Sequence, residues 1–210
     1  MNLKLALFGG SFDPIHNGHL AIAEQAKLAF ELDEIHFILA KQSPFKVDKS
    51  LAESTQEKSQ ELRLKILKTA LSETKYQKLN FKAIDIELQR PSPSYSCDTV
   101  KYYRESYPEA RLFWIMGEDN YCFLNQWKNY QYLLDNLEFI VLRRVNLDRN
   151  QNKPLNLTPE LEAKTHFLQN PYYQISSTEV REAVIQEKKL DFLAENLPNS
   201  IYRLVVQNYK

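Results

Sequence analysis

Residues 8–19 read Phe-Gly-Gly-Ser-Phe-Asp-Pro-Ile-His-Asn-Gly-His and follow the apolar run Leu3-Lys4-Leu5-Ala6-Leu7. The chain has four glycines and four histidines, and three of the former and two of the latter fall in this one stretch. Glycine at positions 9 and 10 lets a backbone approach a bulky anion and reach φ angles closed to other residues, and Gly18 keeps the start of a following helix clear of side-chain bulk. His16 and His19 stand three residues apart at that helix start, a spacing that turns both rings to one side, toward the mouth of the loop. Donation to phosphate oxygens suits this pair better than metal ligation, for which His-x-x-His lacks a third ligand.

A second group lies far along the chain, at Ile175-Ser176-Ser177-Thr178-Glu179-Val180-Arg181. Ser176 and Glu179 form a capping box, which marks a helix start. Three consecutive hydroxyls, free helix N–H groups and the Arg181 guanidinium together make an anion site. A third group, Met116-Gly117-Glu118-Asp119, ends another apolar run, where a glycine lets a ribose lie close and a carboxylate accepts from its hydroxyls. Asp13, next to Pro14, is expected to fix the loop through a turn hydrogen bond. Trp127, set among Asn125, Gln126, Lys128 and Asn129, offers a ring for stacking.

The elements that must position these groups follow from periodicity. Leu3–Phe8 reads as a buried strand, and Leu20, Ala23, Ala26 and Phe30 repeat at helical spacing after Asn17, taken as the N-cap. A strand at Glu34–Leu39, a long helix at Thr55–Glu73 and a strand at Asn80–Leu88 continue the alternation. Ser96 is expected to cap a helix ending near Ser106; Arg111–Met116 is the central strand, and a helix near Tyr130–Asp135 leads to a strand at Glu138–Leu142. A polar connection runs from about Arg144 to Leu161, and two helices close the chain, one capped by Ser176 and one from Pro198. Strands alternating with helices imply a doubly wound, Rossmann-like parallel α/β sheet with helices on both faces, plus a small C-terminal helical part.

With 210 residues and an apolar fraction of 43%, one domain spanning residues 1–210 is expected. Lys plus Arg and Asp plus Glu balance at 27 each, so no global field favours nucleic acid or anionic lipid. Cys97 and Cys122 lie far apart without metal-ligand spacing, which points to reduced thiols and a cytoplasmic protein, and no run is long enough to span a membrane.

Taken together, the first stretch and the Ile-Ser-Ser-Thr-Glu-Val-Arg segment resemble the paired signatures of the HxGH nucleotidyltransferase superfamily, and the whole chain is similar to the bacterial nicotinate mononucleotide adenylyltransferases within it. The likeness includes Ser92-Pro93-Ser94-Tyr95-Ser96 with Thr99, Gly117-Glu118-Asp119, Trp127, Arg143-Arg144 and Leu197-Pro198. It implies that Gly9, Gly10, Ser11 and Phe12 line a phosphate loop, with His16 and His19 on the ATP phosphates. Ser176, Ser177 and Arg181 would hold the departing pyrophosphate, Gly117 and Asp119 the adenosine ribose, and Arg144 would border the adenine. Ser96, Thr99 and Trp127 would serve the nicotinate nucleotide. The chain departs from the family pattern at Leu39-Ala40 and Phe45, and at Lys128 where tyrosine is common; Lys46 is kept.

The reaction so implied is attack of the mononucleotide phosphate on the α-phosphorus of ATP. A phosphate with a second pKa near ~6 is already ionised at neutral pH, so no general base is needed. His16, His19, Lys46 and Arg181 are the candidate catalytic groups, with Mg2+ bound through the ATP phosphates and no metal held by the protein alone. Partners are thus two small molecules, with a homo-oligomer left open. The alternatives are an adenylyltransferase for nicotinamide mononucleotide or another phosphorylated acceptor, and a nucleotide-binding regulator without turnover. A dinucleotide oxidoreductase would need Gly-x-Gly-x-x-Gly after the first strand and an acidic residue ending the second, and neither is present.

Overall fold

The computed structural model describes residues 2–42, 53–144, 158–170, 175–186 and 190–210. The chain runs β1 (Lys4–Gly10), α1 (Asn17–Ala29), β2 (Glu34–Leu39), α2 (Glu53–Leu71), α3 (Thr74–Lys78), β3 (Phe81–Ile84), α4 (Ser96–Ser106) and β4 (Arg111–Gly117). It continues with α5 (Glu118–Tyr121), a 3-10 turn at Leu124–Gln126, α6 (Tyr130–Asn136), β5 (Glu138–Arg144), α7 (Pro159–Ala163), β6 (Thr165–Asn170), α8 (Ser177–Ile185), α9 (Leu190–Asn196) and α10 (Asn199–Asn208). Six strands pair in the order β3-β2-β1-β4-β5-β6, and every pair is parallel.

Strand periodicity distributes the apolar residues to two layers. Leu5 and Leu7 join Trp114, Met116, Phe139 and Val141 against α4 and α6. Their neighbours Ala6 and Phe8 turn the other way, with Phe37, Ile115 and Ile140, against α1, α2, α8 and α10. Both faces are therefore covered, as an all-parallel sheet requires. Truncating Ile66, fully buried in the second of these layers, is expected to cost about 2–5 kcal/mol.

Several boundaries differ from the sequence reading. The N-cap of α1 is His16, with extended backbone, and its N–H donates to His19 Nδ1 at 3.4 Å. Asn17 is the first helical residue, and its amide instead donates to the Glu195 carbonyl at 2.8 Å. Likewise Tyr95, not Ser96, precedes α4. The hydroxyl of Ser94 accepts from Lys41 N at 3.0 Å, which fixes the chain one residue earlier than expected. The third strand stops at Ile84 because the chain turns there, Leu88 N donating to Asp85 O at 2.9 Å. β6, α3, α7 and α9 are additions that periodicity did not reveal; α7 begins within the stretch read as a polar connection from Arg144 to Leu161, because Thr158 caps it, its Oγ1 accepting from Leu161 N at 3.2 Å, and residues 145–157 of that stretch lie outside the described residues.

The order of strands reverses between β1 and β4, which lie side by side at the centre of the sheet. At such a switch the connections leave in opposite directions and open a crevice beyond the carboxyl ends of the strands. The Gly9-Gly10 loop leaves β1 there, and Gly117 leaves β4.

Candidate functional site

The glycines of the first loop serve space rather than unusual φ, since no glycine has a positive φ. A Cβ on Gly9 would lie 2.8 Å from a ring carbon of Trp114, and one on Gly10 would lie 2.9 Å from the Phe12 ring. Phe12 is the residue with a left-handed backbone, φ 41°. A non-glycine residue holds that conformation only against a cost of about 1–2 kcal/mol. Burial of its ring among Phe8, Phe37 and His19 offsets that cost.

His16 and His19 do face one side. Their ring centroids are 3.7 Å apart with the planes 30° from parallel, His16 being buried and His19 half-buried beside Phe12. Two cationic rings this close would repel by about 4 kcal/mol at an effective dielectric of ~20. The pair is suited to donating N–H bonds to an anion rather than to holding two resting charges. Among the described residues no three His, Cys, Asp or Glu side chains gather as a metal site.

The tip of α8 docks on this loop. Ser177 Oγ donates to the Pro14 carbonyl at 2.9 Å, and Arg181 Nη1 donates to the Asp13 carbonyl at 2.6 Å. The side chain of Ile175 fills the space that a Cβ on Gly18 would need, 2.7 Å away. Ser176 forms its capping box, Glu179 N donating to Ser176 Oγ at 3.2 Å and Ser176 N to Glu179 Oε2 at 2.7 Å. The N–H groups of Ser177 and Thr178 are then the first-turn donors that helix geometry leaves over. The structure thus brings Gly9, Gly10, Ser11, Phe12, His16, His19, Ser176, Ser177 and Arg181 to one place, across more than 150 residues of chain.

Asp13 and Pro14 do form a turn, but the Asp13 carboxylate is held by distant groups. Tyr209 Oη donates to Asp13 Oδ1 at 2.7 Å, and Arg181 Nη1 lies 3.5 Å from Oδ2. Burial, and then the Asp13 charge, push the Tyr209 phenol far up, so it stays a donor. Arg63, which sequence reasoning passed over, sits in α2 and is buried. It donates to the carbonyls of Ser11 at 2.7 Å, Ala40 at 3.0 Å and Lys41 at 3.4 Å. Burial pulls its guanidinium below the ordinary value, opposed by the Asp13 charge, but an arginine stays protonated. The available signal was an arginine on the stripe of Ile66, Leu67 and Ala70, at i+3, i+4 and i+7.

The remaining candidates lie around this centre. Gly117 caps α5, and a side chain there would strike Asp119 Oδ1 at 2.3 Å, so the glycine makes room for the carboxylate to fold back. Trp127 packs edge-on against Trp114, centroids 6.0 Å apart, and Gly9 clears the space for Trp114. The Trp127 indole N–H has no hydrogen-bond partner among the described residues. Ser96 opens α4 and is half-buried. Thr99 is fully buried, donating to Glu87 Oε1 at 2.6 Å and accepting from Arg90 at 3.2 Å. Lys128 lies 4.1 Å over the Tyr95 ring and 3.6 Å from Asp98. Arg144 ends β5, and Lys46 lies outside the described residues.

With the geometry in view, residues 7–183 match the model of the family described as cytidylyltransferase-like. The sequence is 36% identical over 207 residues to a probable nicotinate-nucleotide adenylyltransferase of Methylacidiphilum infernorum, covering 99% of this chain and 91% of that relative. It is 31% identical over 205 residues to the nicotinate-nucleotide adenylyltransferase of Bacillus subtilis, covering 98% and 96%. Among solved structures, Plasmodium falciparum nicotinic acid mononucleotide adenylyltransferase complexed with NaAD superimposes with a TM-score of 0.73 at 18% identity, covering 99% and 98%. A likeness at that identity speaks for the fold.

Proposed function

The chain belongs to the cytidylyltransferase-like family, and from that premise we infer that it is an enzyme transferring the adenylyl group of ATP to nicotinate mononucleotide, with nicotinate adenine dinucleotide and pyrophosphate as products. The full-length relatives named for this activity support the reading. The single structural observation behind the site assignment is the docking of the α8 tip on the first loop, through Ser177 on Pro14 and Arg181 on Asp13. Two helix starts, the imidazoles of one and the Arg181 guanidinium of the other, meet at the β1/β4 crevice, an arrangement suited to holding a triphosphate by geometry and charge.

In this reading a phosphate oxygen of the mononucleotide attacks the α-phosphorus in line, the new O–P bond forms, and the bond to the β-phosphate oxygen breaks as pyrophosphate leaves. No proton need be removed from the nucleophile. Holding both reactants in line can supply roughly 7–11 kcal/mol, and donors aimed at the developing charge supply much of the rest. His16 and His19 donate to the phosphates beside the Gly9–Phe12 loop. Ser176, Ser177 and Arg181 take the pyrophosphate, and Lys46 is assigned to the same charge. Asp119 accepts from the adenosine ribose beside Gly117, and Arg144 borders the adenine. Trp127 stacks on the pyridine and Ser96 faces that nucleotide, with buried Thr99 bracing the start of α4 through Glu87 and Arg90. A Mg2+ accompanying ATP would need no ligand from the protein and would supply charge neutralisation at the phosphates. The same proposal has the protein in the cytoplasm, with Cys97 and Cys122 as free thiols.

The test is the initial rate of pyrophosphate release at equal ATP with nicotinate mononucleotide and, separately, nicotinamide mononucleotide. Faster release with the nicotinate form is expected. Faster release with nicotinamide mononucleotide reassigns the acceptor, and no release with either removes the enzymatic reading.

A further inference from the structure

We propose that Arg63, from outside the crevice, is the positioning residue that sets the phosphate loop for ATP. Its buried guanidinium makes three hydrogen bonds to main-chain carbonyls of two different loops: Ser11 after β1, and Ala40 and Lys41 after β2. Among the described residues the fork serves carbonyls alone, an unusual use of a buried cation, which is ordinarily paired with a carboxylate. The two loops are adjacent at the carboxyl edge of the sheet, where Ala40 N also donates to Gly10 O at 2.9 Å.

The Ser11 contact has a directional consequence. A peptide is planar and trans, so its C=O and N–H point in opposite directions. Fixing the Ser11 carbonyl on α2 turns the Phe12 N–H away from α2. The same peptide precedes Phe12, whose φ of 41° is the strained position of the loop. Ring burial alone would hold the side chain of Phe12 while leaving the preceding peptide free to flip; Arg63 removes that freedom. Its charge has a second effect. The guanidinium binds dipoles and so keeps its positive field directly behind the loop, opposed there by the charge of Asp13. Both effects favour a polyphosphate in front of the loop and neither touches the acceptor nucleotide.

The proposal rests on the assignment of the Gly9–Phe12 loop to ATP. It is tested with Arg63→Met and Arg63→Lys in the full chain, using steady-state kinetics with each substrate varied in turn and calorimetric binding of a non-hydrolysable ATP analogue. Arg63→Met is expected to raise KM for ATP and weaken analogue binding at least tenfold, with KM for nicotinate mononucleotide changed less than threefold. Arg63→Lys keeps the charge but not the planar fork, and should show a smaller rise in KM for ATP while melting within a few degrees of wild type. Where the methionine variant does not fold, the lysine variant decides. Unchanged KM for ATP in a folded Arg63→Lys protein, or equal losses for both substrates, overturns the proposal. If the wild-type enzyme prefers another acceptor nucleotide, the same ATP measurements are made with that acceptor, so an error in acceptor identity is distinguishable from an error about Arg63.

Discussion

The two edges of the sheet treat positive charge in opposite ways. At the amino edge, cations meet carboxylates: Arg111 grips Glu138 at 2.5 and 2.8 Å, with His166 on the same carboxylate at 2.7 Å, and Lys82 and His36 share Glu34 at 2.7 and 2.9 Å. At the carboxyl edge, Arg63 bonds only to carbonyls among the described residues, and Arg181 bonds the Asp13 carbonyl and lies 3.5 Å from its carboxylate. The Asp13 carboxylate lies 3.5 Å from Arg181, its charge also acts on Arg63, and it accepts from Tyr209. At one edge each cation has a carboxylate of its own cluster, and at the other Arg63 and Arg181 share the charge of Asp13 beside two helix starts, the Glu179 carboxylate there being taken up by Ser176. A protein with no net charge can therefore present a local anion site, because cations satisfied by dipoles keep their field and cations satisfied by carboxylates lose it.

The largest test of this contrast is His19→Ala at the carboxyl edge. Loss of one donor to developing charge is expected to lower kcat about 10²–10³-fold, with a much smaller change in KM for ATP. Wild-type turnover in the purified variant would remove the imidazole from the transfer. The matching change at the amino edge is Glu138→Gln. Burial raises the Glu138 carboxyl, but Arg111 and His166 outweigh it and leave the group below its usual value. Since Arg111 is half exposed, the variant should lose only about 1 kcal/mol in a denaturant titration and keep wild-type turnover. A large loss of turnover would mean that the two edges are not separate.

The smallest effect is a pH dependence at His36. Burial lowers its pKa below 6.5 and prevails over Glu34, which pulls the other way. The unfolded chain therefore takes up a proton that the folded chain refuses, and stability falls as pH drops through about 6.5 toward the lower folded value. In the neutral ring, Nε2–H donates to Glu34 and Nδ1 accepts from Tyr103 Oη at 2.7 Å. His36→Asn should show a smaller drop in melting temperature between pH 7.5 and pH 5.5 than wild type. An equal drop in both would assign the acid sensitivity elsewhere.

Much of this was legible in the chain, and the unread parts share a cause. β2 was bounded correctly because Glu34–Leu39 is nearly continuous in apolar residues. β6 escaped because Thr-His-Phe-Leu-Gln-Asn is a weak pattern at the sheet edge, made a strand by pairing with β5. The His16/His19 pair and the Ser176 box were visible because local spacing defines them. Asn17 and Ser96 were misplaced as caps because Glu195, bonded to Asn17, and Lys41, bonded to Ser94, are brought close only by folding and decide where those helices begin. Arg63 and Tyr209 went unread because their partners are carbonyls and a carboxylate elsewhere in the chain, which no short window contains.

By itself the sequence determined the alternation of strands and helices, the two helix starts rich in phosphate donors and the family to which they point, since each depends on residues within one or two turns of each other. Tertiary structure alone decided that those starts meet, that glycine there gives room for Trp114, Phe12 and Ile175, and that Phe12 takes the strained backbone. It also decided which partners the cations of each edge take. The physical reason is that close approach and charge balance belong to pairs of groups, and folding selects the pairs after local preference has selected the elements.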